Sequence, residues 1–494
     1  MAWADWPRHM PADALSSEAC AQQLVGSHDS WDVFRDSGVG TGRQVLSDDV
    51  DKFTLSFQPD CPAEALHFYD AVTAFRVGAG AFAADRQLRN TLKQQLSGIK
   101  IALRRKRLQP EVTAALAQSL GSLECLKELK ADISFSSIGE DGARQLAQAV
   151  GSLQQLRNLE LLLGGAGLGY AGCERLSEEI GTLRSLERLK LDLSLNDIGD
   201  TGLREVSKCA RSLRQLRELV LDLNRNRVSD PGIGCLAQVV LDLPFLTDLE
   251  VMLFDNRVGE DGARQLAAAM RGLKLSRLVL GLNRNAVSEA GVQDIAHAVA
   301  SQKLQDLELD LSVSSVGWAG AHDLGMAISA LEGLQSLTLD LNVNHVGSAG
   351  ARLLAQAISA QQSLVSLRFL ASGNRMREVG ARELSQALMS LRRLVNLEMD
   401  VSGNGIGDTG ACELARAMGS LGKLCRLVAD LRGNLVADHG ERELARAVGD
   451  LPKLERLELR LAGNGRTGAG PWHYELKNAV QKLQTGGCIC DFSY

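Results

Sequence analysis

The sequence predicts an α/β solenoid, a stack of strand–helix units, and three observations carry that expectation. The first is a phrase that recurs along the chain. With Gly202 as anchor, equivalent glycines fall at Gly142, Gly172, Gly232, Gly262, Gly291, Gly320, Gly350, Gly380, Gly410, Gly440 and Gly470; nine of the eleven gaps are 30 residues and two are 29. The second is a change of period inside each unit, from two to helical. The third is composition: 45% of the 494 residues are hydrophobic but only 4% are aromatic, so the core is aliphatic, as stacked repeats use. Repetition of this kind replaces the roughly three separate domains that length alone suggests.

The elements follow in chain order. Residues 1–51 show no sustained period and read as a partly disordered N-terminal extension; without an apolar stretch or cleavage site they are not a secretory signal. Residues 52–98 read as an N-terminal cap: "KFTLSF" (52–57) as a strand and "PAEALHFYDAVTAF" (62–75) as a helix. Ten of the twenty aromatic residues lie in the first 82, which suits a cap closing an open core end. The solenoid spans 99–470. Its first unit is degenerate, with Leu108 and Leu116 in register but Val112 in the glycine place.

In the regular units, alternating apolar residues such as Leu189, Leu191 and Leu193, or Leu337, Leu339 and Leu341, predict a short strand with one face buried. Gly142 is followed by Leu146, Ala147, Val150, Leu153 and Leu156, one apolar stripe of a helix. Alanine-rich stretches such as "GARQLAQAV" favour that helix further. An asparagine stands six residues before the anchor in nine units (Asn196, Asn226, Asn256, Asn285, Asn344, Asn374, Asn404, Asn434, Asn464). A buried amide there can satisfy the backbone groups that the turn strips of ladder partners. Ser136, Ala166 and Ser314 replace it, so the ladder is expected to be weaker at those units. Residues 471–494 close the chain with a cap helix, "PWHYELKNAVQKL", and a loose tail, "QTGGCICDFSY", whose Cys488 and Cys490 read as two thiols on a flexible segment.

Units of the form L-x-L-x-x-N-x-[ILV]-[GS]-x-x-G-x-x-x-L-[AS]-x-x-[ILVM] resemble the leucine-rich repeats of the ribonuclease-inhibitor type, over roughly residues 122–480. The resemblance implies a horseshoe-shaped solenoid with a parallel inner sheet and outer helices. An extra strand leucine, such as Leu189, precedes the usual pair, so the strand is expected to be two residues longer. Ran GTPase-activating proteins share this repeat type. The resemblance thus implies an alternative role as a GTPase-activating or regulatory protein, on fold analogy alone, since no residue here matches their functional positions.

Motifs that resemble active chemistry dissolve into the repeat. Gly167, Gly169 and Gly172 spell G-x-G-x-x-G with Asp192 on the next strand, but Gly169, Gly172 and Asp192 are ordinary repeat positions. "DLNRNR" (222–227) and "DLNVNH" (340–345) start like a calcium loop. They carry Arg227 or His345 where a sharp turn needs glycine, and Ile233 or Ala351 where a bidentate glutamate belongs. Neither a Walker-type lysine loop, a G-x-S-x-G elbow nor zinc-ligand spacing occurs. No cofactor or metal is expected. A net charge of −6 lacks the basic footprint of a nucleic-acid binder, and no run of 18 apolar residues suggests a membrane span. Ten cysteines without paired spacing fit reduced thiols and a cytoplasmic location.

What remains is one face of the sheet. Residues between the strand leucines point away from the helices, onto the concave side. Their central column reads Asp132, Leu162, Asp192, Asp222, Met252, Gly281, Asp310, Asp340, Leu370, Asp400, Asp430, Arg460. Adjacent strands lie about 4.8 Å apart, so neighbouring aspartates repel by roughly 1 to 3 kcal/mol. The flanking column, with Glu160, Glu250, Glu308, Glu398 and Glu458 against Lys130, Lys190 and Arg368, reads as leaving the face acidic, while Arg432 and Arg460 turn its C-terminal end basic. Such a face is either a solvated surface or a docking surface for a protein with a basic surface. The candidate partner-binding residues are Asp192, Asp222, Asp310, Asp340, Asp400 and Asp430, with Met252 and Phe254, beside Val220 and Val279, as an apolar anchor. The expected function is that of a non-enzymatic protein–protein interaction scaffold, with neither nucleic acid nor membrane as partner.

Overall fold

The structure, a computed structural model, describes residues 31–35, 53–57, 96–464, 472–485 and 487–493. Among them, sixteen strands form one sheet in strict chain order. Trp31–Arg35 pairs antiparallel with Phe53–Phe57, and every later neighbour pairs parallel, through Leu96–Ala102, Glu128–Asp132 and Asn158–Leu162 to Arg456–Arg460 and Ile489–Ser493. A helix follows each solenoid strand from Leu96–Ala102 onward, from Pro110–Gly121 to Trp472–Thr485. This is the α/β leucine-rich-repeat solenoid that the period predicts, with parallel strands and alternating helices. Each repeat strand is five residues long and includes the extra leucine, as Arg188–Asp192 includes Leu189.

Two segments depart from the sequence reading. Trp31–Arg35 is a strand inside the extension, where no period announces one. The end of the chain is not a loose tail: Ile489–Ser493 pairs along Arg456–Arg460, and Cys488 beside it is buried. The backbone groups of the last repeat strand would otherwise form a bare sheet edge, and this segment satisfies them. The helix expected at 62–75 and the anchor at Gly470 lie outside the described residues.

The core lies between sheet and helices. Leu189, Leu191 and Leu193 from the strand side and Leu203, Val206 and Ala210 from the helix side are all buried. The anchor glycine has a steric cause. A Cβ at Gly350 would lie 2.7 Å from Val346 of its own unit and 3.0 Å from the Cβ of Ala321 in the preceding helix. Gly172 with Ala143, and Gly410 with Ala381, repeat the 3.0 Å approach. The glycine–alanine pair therefore sets how closely neighbouring helices stack.

The asparagine ladder holds the turns. Asn226 is fully buried; its Nδ2 donates to the Leu193 carbonyl (2.8 Å), and its Oδ1 accepts from the amides of Asn196 (3.1 Å) and Ile198 (3.3 Å) one unit back. Asn344, Asn374, Asn404 and Asn434 repeat this geometry. Ser136 and Ser314 keep only the donor half, reaching Leu103 (2.7 Å) and Leu282 (3.3 Å). Ala166 has no polar side chain for either half, so the ladder thins where the sequence says it should. Asn226→Ala is expected to lower the unfolding free energy by about 1 to 3 kcal/mol, because two backbone amides lose their acceptor and the Leu193 carbonyl loses one of its two donors in a dry turn. A denaturant titration checks this, and an unchanged midpoint would contradict it.

Candidate functional site

The concave face is built by register. Asp192 pairs in register with Asp222, Asp310 with Asp340, and Asp400 with Asp430. Each lies at the last position of its strand, and there it has a task within its own chain. The Oδ1 of every column aspartate accepts the backbone N–H two residues on: Ser134 (3.1 Å), Ser194 (2.9 Å), Asn224 (3.0 Å), Ser312 (3.1 Å), Asn342 (2.9 Å), Ser402 (2.9 Å) and Arg432 (3.1 Å). The hydroxyls of Ser194 and Ser312 add a second bond to the same oxygens at 2.7 and 2.8 Å. This is an Asx turn, which steers the chain out of the strand.

Two units without the aspartate satisfy the same N–H differently. Where Met252 and Leu370 stand in the column, the amides of Phe254 and Ser372 donate to the side-chain oxygens of Asn224 (2.6 Å) and Asn342 (2.7 Å) in the preceding unit. Asn283 occupies the corresponding place before Ser312, whose amide is already held by Asp310, and its Oδ1 has no hydrogen-bond partner. Sequence reading identified the aspartate column but missed this role. Its signal was the serine or asparagine two residues after six of the seven aspartates.

The electrostatics are uneven. Burial pushes the carboxyls of Asp222 and Asp340 up to about 6; the amide each accepts works against the rise, while neighbouring Asp192 and Asp310 reinforce it. Asp430 stands apart. It is buried, and its carboxylate is gripped by the Arg432 Nε at 2.9 Å to both oxygens, with Arg460 at 3.5 Å. The expectation that flanking residues leave the face unneutralised is corrected. Lys190 pairs with Glu160 (3.2 Å), Arg277 with Glu250 (3.1 Å), Arg368 with Glu398 (2.9 Å), and Arg460 with Glu458. Several of these bridge neighbouring strands, so counting each column by itself hid them. Asp430 is the one column aspartate with an ion pair among the described residues; in the rest of the run, Asp132, Asp192, Asp222, Asp310, Asp340 and Asp400 have Oδ2 atoms that make no hydrogen bond or ion pair among them.

The apolar break in that run is narrower than expected. Val220 and Val279 are buried, which leaves Met252 and Phe254, both half-buried. The Phe254 ring lies between two guanidiniums, Arg225 at 5.2 Å and Arg284 at 5.4 Å from its centre. The glycine-rich turn offers no phosphate cradle, since the amides of Gly167 and Leu168 both donate to Asn196 Oδ1 at 3.0 and 3.1 Å. In "DLNRNR", Asp222 holds Asn224, Asn224 holds Phe254, and Asn226 belongs to the ladder. Among the described residues no cluster of three potential metal ligands occurs, and no helix is long and apolar enough to cross a membrane.

Stability should record the carboxyl at Asp222. A folded-state value near 6 lies above the unfolded value of about 3.9, so the folded chain binds the proton more tightly. The group's favourable contribution is full below about pH 4 and is lost as pH rises through about 6. Asp222→Asn keeps the oxygen that receives the Asn224 amide and removes the charge. It is expected to stabilise by about 1 kcal/mol at pH 8, after allowance for solvent screening, and by nothing near pH 4. Asp222→Ala, which removes the acceptor together with the charge, should destabilise by about 1 kcal/mol near pH 4 and by little at pH 8, where relief of the buried charge offsets the lost bond. Denaturant unfolding of both variants across that range is the measurement, and equal effects of the Asn variant at pH 4 and pH 8 would contradict it.

A family model described as "Leucine Rich repeat" matches residues 189–207, 219–237 and 397–415. A search of the curated proteins found no match. Among solved structures, the chain is similar to one in the crystal structure of the Rad7 and Elc1 complex in yeast, at 13% identity, with 83% of this chain and 92% of that chain covered and a TM-score of 0.41.

Proposed function

This chain is a leucine-rich-repeat protein with repeats of about 30 residues, and from that premise we propose that it is a non-enzymatic scaffold that binds a partner protein on its concave face. The partner has a basic surface, which meets the acidic run formed by Asp192, Asp222, Asp310 and Asp340. One observation carries this reading. Each of these aspartates commits Oδ1 to its own turn, while Oδ2 makes no hydrogen bond or ion pair among the described residues. The first oxygen immobilises the carboxylate, so a cationic side chain meets a preorganised acceptor and little side-chain freedom is lost on binding. Asp400, half-buried on the same column, extends the run towards the C-terminal end.

Met252 and Phe254 sit between the two acidic pairs, and we assign them the apolar anchor of the interface. The two pairs are about 14 Å apart, three strands at the usual spacing. A partner therefore presents two basic groups flanking an apolar one. Polyanions are repelled from this face, which argues for protein rather than nucleic acid as its ligand.

The test is an affinity purification with mass spectrometry, run in parallel with wild type and with the variant carrying Asp192→Asn, Asp222→Asn, Asp310→Asn and Asp340→Asn. Proteins with basic surfaces are expected to be retained by the wild type alone. For such a partner, association should slow as salt rises, and Asp192→Asn with Asp222→Asn should lower the on-rate several-fold. If both the captured proteins and the salt dependence are the same for wild type and variant, the aspartates only keep the sheet soluble.

A further inference from the structure

The turn leaving each strand puts the residue seven positions before the anchor in the left-handed region of backbone space. Glycine fills that place at Gly165, Gly373, Gly403 and Gly433, with φ between 62° and 67°. Leu195 (58°), Val313 (54°) and Val343 (57°) fill it elsewhere. Side chains are disfavoured there, and β-branched ones most of all. Burial does not compensate, because these three are 43%, 49% and 51% exposed. Two adjacent units thus hold exposed valines in a conformation that glycine adopts freely a unit later. Strain of this kind gathers where a surface has work to do.

Between these apolar positions the rim is basic. Arg225 is paired with Asp255 (3.3 Å) and Arg227 with Asp197 (2.9 Å). Arg257 and Arg284 are exposed and make no ion pair among the described residues. The rim is therefore opposite in sign to the aspartates beside it. Past Val343 the apolar positions give way to Gly373, Gly403 and Gly405, which present no side chains, and a hollow opens beside Arg375 and Arg377.

We propose that this rim, from Leu195 to Val343, docks an extended acidic segment of a partner protein. Its carboxylates meet Arg257 and Arg284, and its apolar side chains rest on Val313 and Val343. Charge selects the occupant: guanidiniums without ion pairs, Arg284 resting on the Phe254 ring, stand beside exposed aliphatic groups and fit acidic residues interspersed with apolar ones. The site rests on the reading of the chain as a protein-binding scaffold, but not on the acidic column, and its ligand has the opposite charge.

The experiment pans a displayed library of random dodecapeptides on the full chain and measures the affinity of enriched peptides by fluorescence anisotropy. Enriched peptides are expected to combine aspartate or glutamate with aliphatic or aromatic residues. Arg257→Glu with Arg284→Glu should weaken them by at least about tenfold. Val313→Gly with Val343→Gly should weaken them by about threefold or more while leaving the melting temperature unchanged or higher, because glycine relieves the turn. That combination separates lost docking from lost folding. Acidic peptides whose affinity survives both rim variants would overturn the proposal. So would labelled single-stranded DNA that binds through Arg257 and Arg284 more tightly than any peptide, making the rim a phosphate site. Enrichment of basic peptides alone, sensitive to Asp192→Asn and Asp222→Asn, would overturn the rim and leave the concave reading standing. No enrichment of either kind would remove both.

Discussion

Each repeat strand of this solenoid runs into a tight left-handed turn, and in nine of the twelve repeats a side chain receives the backbone amide two residues past the strand. The neighbouring strand cannot reach it, and an unmet amide in a half-dry groove is costly. Seven units meet the need with their own aspartate, and two borrow an asparagine from the unit before. Four residues further on, the asparagine ladder performs the same service for the next backbone groups. Leucine burial holds the core of the stack, and these side chains hold its bends.

This constraint accounts for an arrangement that is otherwise unfavourable. Aspartates stand side by side on adjacent strands although like charges repel and aspartate is a poor strand former. The Asx bond offsets part of that penalty, while burial, reinforced by neighbouring Asp310, pushes the carboxyl at Asp340 up to about 6. Because the turn fixes one oxygen, the other is displayed in a repeating array across the concave face. The repeat's own architecture thus supplies a surface suited to cations. The rim just beyond, with Arg257 and Arg284 on the units of Met252 and Gly281 and with Val313 and Val343 on the next two, offers the opposite chemistry beside the aspartates.

Much of this was legible in the sequence because it is periodic. The spacing of the anchor glycines gave away the stack, the leucine alternation the strands, and Asn226 and its equivalents the ladder. The thinning at Ser136, Ala166 and Ser314 was readable for the same reason. The role of the aspartates was harder to see, since a side chain bonding its own backbone two residues on leaves only a D-x-[SN] trace. Ion pairs such as Arg368 with Glu398 need the register before they can be paired at all. Trp31–Arg35 and Ile489–Ser493 are no shorter than the repeat strands but lie outside the repeat that marks those, and each pairs with a neighbouring strand of the sheet. Left-handed valines leave no mark, because the turn's backbone angles are invisible until the chain is folded.

Amide hydrogen exchange tests the central claim most directly, because it reads the backbone groups on which the account rests. The Phe254 amide should exchange as slowly as the strand amides near it. Asn224→Ala, a substitution one whole repeat away in sequence, should accelerate it selectively, while the Ser194 amide, held by Asp192, stays protected. If the Phe254 amide exchanges at the same rate with and without the Asn224 side chain, the strand-end acceptors do not hold these turns, and the explanation for the aspartate column falls with them.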